Sequence, residues 1–454
     1  MNQAEPFCET KKNNRPQRRD RIAVIGSGIA GLTAAYHLSQ QFDVTVFEAN
    51  PTLGGHTATV DVELDQRTYA IDTGFIVFND WTYPNFIALM AELGVATQPT
   101  DMGFSVKCPR TGFEYAGSSL RSLFAQRRNL LNPKFWRMLS DIVSFNRESI
   151  ADVDSGTLDP ALTLGAYLKQ RGYGDYFCER YLVPMGAAIW SASTRAMLEF
   201  PLQFFVQFFR NHGLLSINDR PQWRVLTGGS RSYIEPLTAR YRDTIHTATP
   251  VLGIRRFADG VDVFTKRLGA LRFDQVVIAA HSDQALAMLE DASVAEREIL
   301  GAIPYQNNEV ILHTDHRVLP QRRSAWASWN YQLSDHDAQP AVLTYDMNIL
   351  QGMDVQSLNS QHTFCVTLNR SDNIDPKKIL RRFNYAHPVF TASGLVAQRR
   401  WSEINGVNRT WFCGAYWRNG FHEDGVVSGL RVAHELGACP HPVDVRESLA
   451  EAFA

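Results

Sequence analysis

Short apolar runs with few polar interruptions mark out the regular elements of the chain. Ile22–Ile25 and Val44–Phe47 have the composition of parallel strands that are buried on both faces, and Asp274–Ala280 repeats this pattern far downstream. Leu32–Ser39 lies between the first two runs and has the apolar spacing of a short helix. The pattern predicts a β-α-β unit near the start and a later strand of the same parallel sheet.

The intervening segments have a different pattern. Helical periodicity covers residues 118–150 and 200–215. Runs rich in β-branched and aromatic residues predict strands of a mixed or antiparallel sheet at 310–314, 325–331, 341–347 and 363–368. We therefore predict an α/β protein with a Rossmann-like domain and a second domain of mixed sheet plus helices.

Three glycines follow the first strand at the spacing of a dinucleotide-binding loop. Gly26 permits the tight turn, Gly28 lets the backbone approach a pyrophosphate, and Gly31 lets helix and strand pack closely. Ile29 and Ala30 lie at the start of the helix, whose N-terminus offers N–H groups to the phosphates. The alternative is a glycine-rich turn without a ligand.

An acidic residue at the end of the second strand favours dinucleotide binding over a glycine-rich turn without a ligand. Glu48 stands there, twenty residues after Gly28, where a carboxylate accepts hydrogen bonds from a ribose diol. The same carboxylate disfavours a 2′-phosphate. Strand, loop, helix and acidic terminus together predict dinucleotide binding.

Composition and charge narrow the class of protein. The chain has 454 residues, 44% of them hydrophobic and 20% charged, with a formal net charge of −2, so nothing indicates nucleic acid as a partner. It has no run long enough to span a bilayer and no apolar signal peptide at its start. Six scattered cysteines without a CxxC pair predict neither a zinc site nor a dithiol centre, and no other metal site is predicted. We expect a cytoplasmic protein.

Two further stretches identify the dinucleotide. They are Gly54-Gly55-His56-Thr57 and, after a predicted hairpin, Asp72-Thr73-Gly74. With the glycine loop they resemble the flavin amine oxidase group of FAD proteins, which includes protoporphyrinogen oxidase and the carotenoid desaturases. The resemblance implies a Rossmann-like FAD-binding domain with a mixed-sheet plus helical substrate domain. It also makes His56 a phosphate contact in place of the usual arginine; the alternative is that His56 only fills a turn.

The resemblance assigns further cofactor contacts. It places the backbone of Val251 at the adenine and a tight turn at Gly414 and Ala415 after the last strand. It places the N–H groups of Gly425 and Val426, at the start of the last helix, against the N1–C2=O2 edge of the flavin. A helix N-terminus there stabilises negative charge on the reduced ring. No cysteine motif for covalent attachment is present, so we expect non-covalent FAD.

The residues predicted closest to the flavin ring, and hence the candidate catalytic residues, are Trp190, Phe421 and His422. Phe421 stands where the group usually has a tyrosine of its aromatic cage. His422 or His387 is a candidate proton acceptor. Trp190 ends a run of small residues that either approaches the ring or makes a tight helix crossing.

Two helical stretches leave alternatives open. Four phenylalanines in residues 200–215 line an apolar tunnel or belong to the core; they are Phe204, Phe205, Phe208 and Phe209. Residues 118–150 are amphipathic and basic, and they lie on a membrane surface or form an ordinary solvated face, which we favour. The basic tail 1–20 is predicted to be disordered, with contact to anionic lipid at the inner membrane face as the alternative.

The motifs GGHTATV, IDTGFIVFN, MGAAIWS and FHEDG are most similar to a poorly characterised set associated with cyclopropane-fatty-acid-synthase-type methyltransferases. This resemblance implies an FAD-dependent oxidoreductase that removes hydride from a fatty acyl or phospholipid chain, with a methyltransferase as a partner. An amine oxidase acting on a small amine and a non-catalytic FAD-binding partner of a lipid methyltransferase are the competitors. Because a second dinucleotide fingerprint is missing, electrons should come from the organic substrate.

These assignments predict the domain organisation. The domains are a tail at 1–20, a discontinuous FAD-binding domain at 21–80, 223–285 and 405–440, a substrate domain at 81–222 and 286–404 including a helical insert, and a C-terminal tail at 441–454.

Overall fold

The computed structural model describes residues 19–159, 161–216, 218–333, 341–353 and 362–438. The predicted C-terminal tail and all but two residues of the predicted N-terminal tail lie outside these residues, as do Cys8 and Cys439. No helix in the described part of the chain is long and apolar enough to cross a membrane.

The strands, in chain order, are β1 Arg21–Ile25, β2 Asp43–Phe47, β3 Thr59–Leu64, β4 Arg67–Asp72, β5 Phe78–Asn79, β6 Thr97–Pro99, β7 Phe104–Cys108, β8 Phe113–Ala116, β9 Trp223–Leu226, β10 Ile245–His246, β11 Val251–Phe257, β12 Gly260–Thr265, β13 Gly269–Phe273, β14 Gln275–Ile278, β15 Tyr305–His313, β16 Trp329–Gln332, β17 Val342–Asp346, β18 Cys365–Leu368, β19 Ile379–Pro388 and β20 Thr410–Phe412.

The helices are α1 Ile29–Leu38, α2 Pro84–Glu92, α3 Leu120–Leu123, α4 Pro133–Asp154, α5 Leu164–Arg171, α6 Asp175–Phe177, α7 Val183–Trp190, α8 Thr194–Leu198, α9 Leu202–Asn211, α10 Ile234–Thr238, α11 Ser282–Met288, α12 Val294–Gly301, α13 Met347–Leu350, α14 Ala392–Arg399, α15 Trp401–Ile404 and α16 His422–Glu435. A π-helical turn, Cys178–Leu182, leads into α7.

A five-stranded parallel sheet positions the predicted cofactor loop. Its order is β10-β2-β1-β14-β20, and each neighbouring pair is parallel. The chain leaves β1 towards β2 on one side and later returns to β14 on the other. Ligands of open parallel sheets bind beyond the carboxyl end of the strand where the order reverses, which here is β1.

A seven-stranded mixed sheet forms the second layer, in the order β19-β15-β18-β17-β16-β7-β8. Only the β16–β7 pair is parallel among the strand pairs described in it. Helices α4 to α9 lie between β8 and β9 in the chain and share one apolar core with this sheet. The predicted α/β class, with a Rossmann-like domain and a mixed-sheet plus helical domain, is confirmed.

Two predicted helices begin elsewhere than expected. The stretch 118–150 breaks into α3, a 3₁₀ turn at Arg127–Leu131 and α4. The break follows from Asn132, whose side chain accepts a hydrogen bond from Lys134 N, and from Pro133, which suits a first helical position. The last helix begins at His422 rather than at Gly425.

Candidate functional site

The glycine loop lies at the carboxyl end of β1. Gly26 has φ +103°, and its N–H donates to the Phe47 carbonyl oxygen at 2.8 Å. A Cβ at Gly26 would lie 2.7 Å from the Ala279 carbonyl oxygen, and a Cβ at Gly31 would overlap the Gly26 carbonyl. The backbone of β14 and the first turn of α1 therefore approach this loop as closely as glycine allows.

Gly28 differs from its neighbours. An added Cβ there would meet nothing within 4 Å, and its φ of −66° is open to any residue. Gly28 is the N-cap of α1, where Ile29 and Ala30 begin the helix, and the side on which a Cβ would stand is open. Protein packing does not account for this glycine, whereas the close approach of a ligand to the helix N-terminus does.

Glu48 closes the loop from the end of β2. One carboxylate oxygen accepts from Ser27 N at 2.9 Å and Ser27 Oγ at 2.6 Å, and the other accepts from Asn50 N at 2.8 Å and Asn50 Nδ2 at 3.0 Å. A ribose hydroxyl would have to share or displace one of these donors. Thr249 N also donates to the Glu48 carbonyl oxygen, which brings the start of β11, and hence Val251, near the predicted adenine end.

The two predicted loop motifs meet beside the glycine loop. Gly55 lies against Gly28, since a Cβ there would lie 3.2 Å from Gly28 Cα, and residues 28 and 54 form a parallel bridge. The hairpin of β3 and β4 returns the chain so that a Cβ at Gly74 would overlap the His56 carbonyl. Residues 54–57 and 72–74, predicted separately, therefore form one wall.

Asp72 links the hairpin to the turn after β9 through one carboxylate oxygen, while the other oxygen has no hydrogen-bond partner among the described residues, so its contact with the cofactor stays a prediction. Asp72 is fully buried, and one carboxylate oxygen accepts from Thr59 Oγ1 at 2.6 Å and from Ser230 N at 2.8 Å. Burial raises the pKa of Asp72 to about 6, although these donors oppose the rise. These bonds tie the β3–β4 hairpin to the turn after β9. Thr73 Oγ1, the next side chain, lies 3.1 Å from Tyr385 Oη.

His56 belongs to a group of imidazoles that come from distant parts of the chain. Its ring centroid lies 5.4 Å from that of His387 on β19 and 6.0 Å from that of His281 after β14. Tyr385 lies 5.2 Å from His56, and Tyr305 stacks on His281 at 4.5 Å. We call His56, His281 and His387 the histidine trio.

The histidine trio is uncharged in the cofactor-free chain. Burial lowers the pKa of His56 to about 3 and that of His387 to about 4, and neighbouring imidazoles lower both further. Burial also lowers the pKa of His281. His56 Nε2 is enclosed and has no hydrogen-bond partner among the described residues, so it is a polar atom that a ligand would satisfy. This favours a ligand contact at His56 over a turn-filling role, and the phosphate contact stays a prediction.

His422, a predicted catalytic residue, is built into the wall of the site. Its ring stacks on Phe75 with centroids 3.7 Å apart, and its Nε2 lies 2.8 Å from Tyr233 Oη and 3.4 Å from Thr57 Oγ1. Burial lowers the pKa of His422 to about 3. An engaged nitrogen with so low a pKa is a poor proton acceptor, so the geometry does not favour that role.

The assignment of Gly425 and Val426 as flavin-facing amides is wrong. Because α16 begins at His422, Gly425 N–H donates to the Phe421 carbonyl oxygen at 3.2 Å, and Val426 lies one residue deeper in the helix. The amides without intrahelical acceptors are those of residues 422–424. A Cβ at Gly425 would lie 2.6 Å from Ile29 Cγ2, so this glycine lets α16 pack against α1.

Two buried carboxyl groups fix this helix start. Glu423 accepts from Asn85 N at 3.0 Å and from Phe86 N at 2.8 Å, so it caps the first turn of α2. Asp424 accepts from Phe421 N at 2.8 Å and lies 3.7 Å from Arg418 Nε. Burial raises the pKa of Glu423 to about 7 and that of Asp424 to about 6. Both groups are committed to holding α16 in place.

Trp190 and the phenylalanine stripe form core rather than tunnel. The four stripe side chains are at most 2% exposed. The Trp190 ring lies within 6.5 Å of the ring centroids of five phenylalanines, which are Phe200, Phe204, Phe205, Phe208 and Phe209. Packing of this kind is typical of a core, and it leaves no open channel along α9. Trp190 itself is partly exposed, and its Nε1 has no hydrogen-bond partner among the described residues, so its position next to the flavin ring stays a prediction.

Phe421 connects this core to an open cavity. Its ring stacks on Phe208 at 5.2 Å and contacts His212 at 5.9 Å. A cavity of about 420 Å³ lies on its other side, between the start of α2 and the end of α9, and Trp81 and Asn211 also line it. Phe421 is therefore an aromatic wall of this cavity without a hydroxyl, and its predicted position beside the flavin ring stays a prediction.

The last strand brings two predicted residues and a thiol to the same end of the sheet. Gly414 N donates to Ser428 Oγ at 3.0 Å, and Ala415 begins a 3₁₀ turn. Cys413 is fully buried, and burial raises its pKa to about 12. So high a pKa leaves no thiolate for covalent attachment. Non-covalent FAD remains our prediction.

Sequence reasoning missed several groups of the site. Ser27 and Asn50, which hold Glu48, and Tyr233, which holds His422, carried no motif signal. His281 did carry one, because it follows β14 at the carboxyl end of the parallel sheet, beside the loop after β1.

Comparisons with known proteins agree with this geometry. Protoporphyrinogen oxidase 2 (chloroplastic/mitochondrial) of Arabidopsis thaliana is 32% identical over 136 residues, which are 27% of this chain and 26% of that protein. The chain thus matches about a quarter of the length of that relative. Among solved structures, cyclohexylamine oxidase from Brevibacterium oxydans IH-35A superimposes with a TM-score of 0.66 at 17% identity, over 92% of this chain and all of that one. The CLA-producing fatty acid isomerase from P. acnes superimposes with a TM-score of 0.63 at 15% identity, over 92% of this chain and 98% of that one.

At these identities the solved structures show the shared fold. The family model described as flavin containing amine oxidoreductase matches residues 29–348, more than half of the chain. The glycine loop with an open face at Gly28, the orphaned Nε2 of His56 and the wall formed by residues 54–57 and 72–74 all suit the FAD of this family. The chain belongs to the flavin containing amine oxidoreductases and is an FAD-dependent oxidoreductase.

Proposed function

We propose that the protein removes hydride from a carbon of an apolar substrate of the fatty acyl or phospholipid class. The observation that carries this proposal is the Phe421 ring, which stacks on Phe208 and lines a cavity of about 420 Å³ together with Trp81 and Pro84. Arg418, Glu423 and Asp424 line the same cavity, so an acyl chain would lie against its aromatic side. Bound FAD would accept the hydride, and the proton lost from the neighbouring carbon, which completes the double bond, would go to a basic group, for which His387 is the remaining candidate. The chain's own residues would position the acyl chain and exclude water.

The charge state of the site supports the same class of substrate. The histidine trio and His422 all have a lowered pKa, so they are neutral near pH 7. The nearby carboxylates of Glu423 and Asp424 are engaged by backbone N–H groups. A cationic amine would find no uncommitted counter-charge among these groups, whereas an acyl chain needs none.

The likeness to a fatty acid isomerase supports a fold able to take such a substrate. The likeness to cyclohexylamine oxidase keeps a small amine as the second candidate, because the same fold is used there. The absence of a hydroxyl on Phe421 weighs against the amine.

The test is anaerobic reduction of the FAD-loaded protein. Unsaturated or methylated phospholipid and, separately, a panel of primary and secondary amines would be mixed with the oxidised protein, and the flavin absorbance followed. We expect bleaching by the lipid. Bleaching by amines alone would contradict the proposal and favour the amine oxidase.

The variant Phe421→Tyr sharpens this test. The added hydroxyl would be buried against the acyl chain, and burying an unpaired hydroxyl costs about 1–3 kcal/mol, so KM for lipid should rise roughly 5- to 100-fold. Phe257→Tyr is the matched control, because Phe257 is 42% exposed on β11 and its hydroxyl would reach solvent. Equal effects of both changes on KM would show that Phe421 does not contact the substrate.

We also propose a lipid methyltransferase as the partner, which rests on the sequence resemblance. Co-purification of the two proteins from a common lysate, followed by the mixing experiment, tests it. Tight binding with no flavin reduction by any substrate would favour the non-catalytic alternative.

A further inference from the structure

A group of large apolar side chains is exposed on the helical insert. Leu131 is 89% exposed and Leu120 is 76% exposed, while Leu130 and Trp136 are each about half exposed. They belong together, because Trp136 Nε1 donates to the Leu130 carbonyl oxygen at 2.9 Å and the Trp136 ring lies 5.6 Å from Phe124. We call Leu120, Phe124, Leu130, Leu131 and Trp136 the apolar patch.

The local structure turns polar residues inward and leucines outward. Gln126 and Asn129 are at most 3% exposed. Gln126 Oε1 accepts from Glu114 N at 3.2 Å and its Nε2 donates to the Gly112 carbonyl oxygen, so the 3₁₀ turn is anchored to the β7–β8 hairpin by its polar side chain. Leu130 and Leu131 are left in solvent. Buried polar and exposed apolar groups in one turn are the reverse of an ordinary solvated face.

The charged residues of the same segment are all basic. Residues 115–140 contain no acidic residue. They contain five basic residues, all exposed, which are Arg121, Arg127, Arg128, Lys134 and Arg137. Of these, Arg137 lies 3.7 Å from Asp141 and Arg128 donates to the Gly112 carbonyl oxygen at 3.1 Å. Arg121, Arg127 and Lys134 have no ion-pair partner among the residues that the structure describes. A segment with this charge stands out in a chain whose net charge is −2.

We propose that the apolar patch and its five basic neighbours dock the protein on an anionic lipid bilayer. The leucines and Trp136 enter the boundary between head groups and acyl chains, and the guanidinium and ammonium groups meet lipid phosphates. A bilayer fits this surface because the charges around the exposed leucines all have one sign, and an anionic lipid surface presents the opposite charge beside an apolar layer. The docking does not depend on the identity of the substrate.

Vesicle flotation of the FAD-loaded protein tests the apolar contribution. Vesicles of phosphatidylcholine with about 30% phosphatidylglycerol should bind the protein, and pure phosphatidylcholine should bind it weakly. Leu120→Ser with Leu131→Ser should lower the partition constant about tenfold or more, since two leucines leave the interface. The matched control is Leu252→Ser with Val294→Ser, at positions 62% and 71% exposed elsewhere on the surface, which should change it less than twofold.

The basic residues have their own test. Arg121→Gln, Arg127→Gln and Lys134→Gln together should weaken binding to the anionic vesicles and flatten its decrease with salt, because electrostatic attraction is screened by ions. Thermal unfolding should be unchanged in all variants, since every substituted side chain is exposed.

Three results would overturn the docking. One is the absence of vesicle binding at low salt. Another is an equal loss in the Leu252→Ser, Val294→Ser control. The third is a dimer in light scattering that the Leu120→Ser, Leu131→Ser variant dissociates, without vesicle binding, since the patch would then bind a second copy of the chain.

Discussion

Two glycines three residues apart should respond in opposite ways to alanine. Gly28 has an allowed φ of −66° and open space where a Cβ would lie, so Gly28→Ala should change the stability of the cofactor-free protein by less than about 1 kcal/mol. The new methyl group would occupy the space that a pyrophosphate needs at the N-terminus of α1. We expect FAD affinity to fall at least about a hundredfold, which corresponds to about 3 kcal/mol.

Gly31→Ala should damage the fold instead. Its Cβ would overlap the Gly26 carbonyl and lie 2.9 Å from Ala279 Cβ, and neither the loop nor β14 can move without disturbing the parallel sheet. Overpacking of this kind costs about 1–3 kcal/mol, so the unfolding temperature of the cofactor-free protein should fall by roughly 1–3 °C in a chain of 454 residues. FAD should still bind whatever fraction remains folded.

The assay is thermal unfolding of cofactor-free protein with and without added FAD, together with a titration of flavin fluorescence. FAD should raise the unfolding temperature of the wild type, since a ligand that binds only the folded state stabilises it. It should not raise that of Gly28→Ala, whose unfolding temperature without FAD should match the wild type. Full FAD affinity in Gly28→Ala would refute the assignment of the loop.

Three further outcomes are expected. Burial lowers the pKa of His56 to about 3, and an adjacent phosphate would raise it by roughly 1–3 units, so FAD should bind more tightly at pH 5 than at pH 8. His56→Arg should bind with little pH dependence and more tightly at pH 8, and isothermal titration across this range would contradict the phosphate contact if both proteins behaved alike. Glu48→Gln replaces one carboxylate oxygen with an NH2 group, which would face the N–H groups of either Ser27 or Asn50, so FAD affinity should fall about tenfold, less than for Gly28→Ala. A larger fall would make Glu48 the dominant anchor. NADH and NADPH should reduce the flavin far more slowly than the organic substrate does, and stopped-flow reduction as fast as turnover would show a nicotinamide site that the sequence does not reveal.

The parts of the site predicted from sequence are those encoded locally. The β1–loop–α1–β2 unit was predictable because its signals are close together in the chain. Gly26, Gly28 and Gly31 lie in one loop and the helix turn that follows it, and Glu48 comes after α1 and β2. The antiparallel hairpin before Asp72 followed from alternation and turn residues. Each of these signals depends on neighbours in the chain, and the fold keeps those neighbours together.

The histidine trio was not predictable in this way. His56 follows the glycine pair, His281 follows β14 and His387 lies on β19, in the other sheet. Only the packing of the two sheets brings their rings within 6 Å of His56. His387 was a candidate from its residue type alone, and nothing in its neighbours indicated that it would face His56.

Composition also fails to tell which side of an amphipathic stretch faces solvent. The phenylalanines of α9 and the leucines of the 3₁₀ turn are equally apolar, yet Phe205 is fully buried and Leu131 is 89% exposed. The difference lies in the polar anchors: Gln126 holds the turn to a hairpin carbonyl, and this fixes which side is left outside. An exposed leucine gains nothing from folding, so a contiguous group of them is better explained by a partner surface than by folding. In the cofactor site, by contrast, the polar groups are buried imidazoles, which are uncharged unless a phosphate lies beside them. The basic residues without an ion-pair partner in the described part of the segment thus lie on the surface, where a bilayer could bind them. The histidines of the site are neutral, where an apolar substrate would lie.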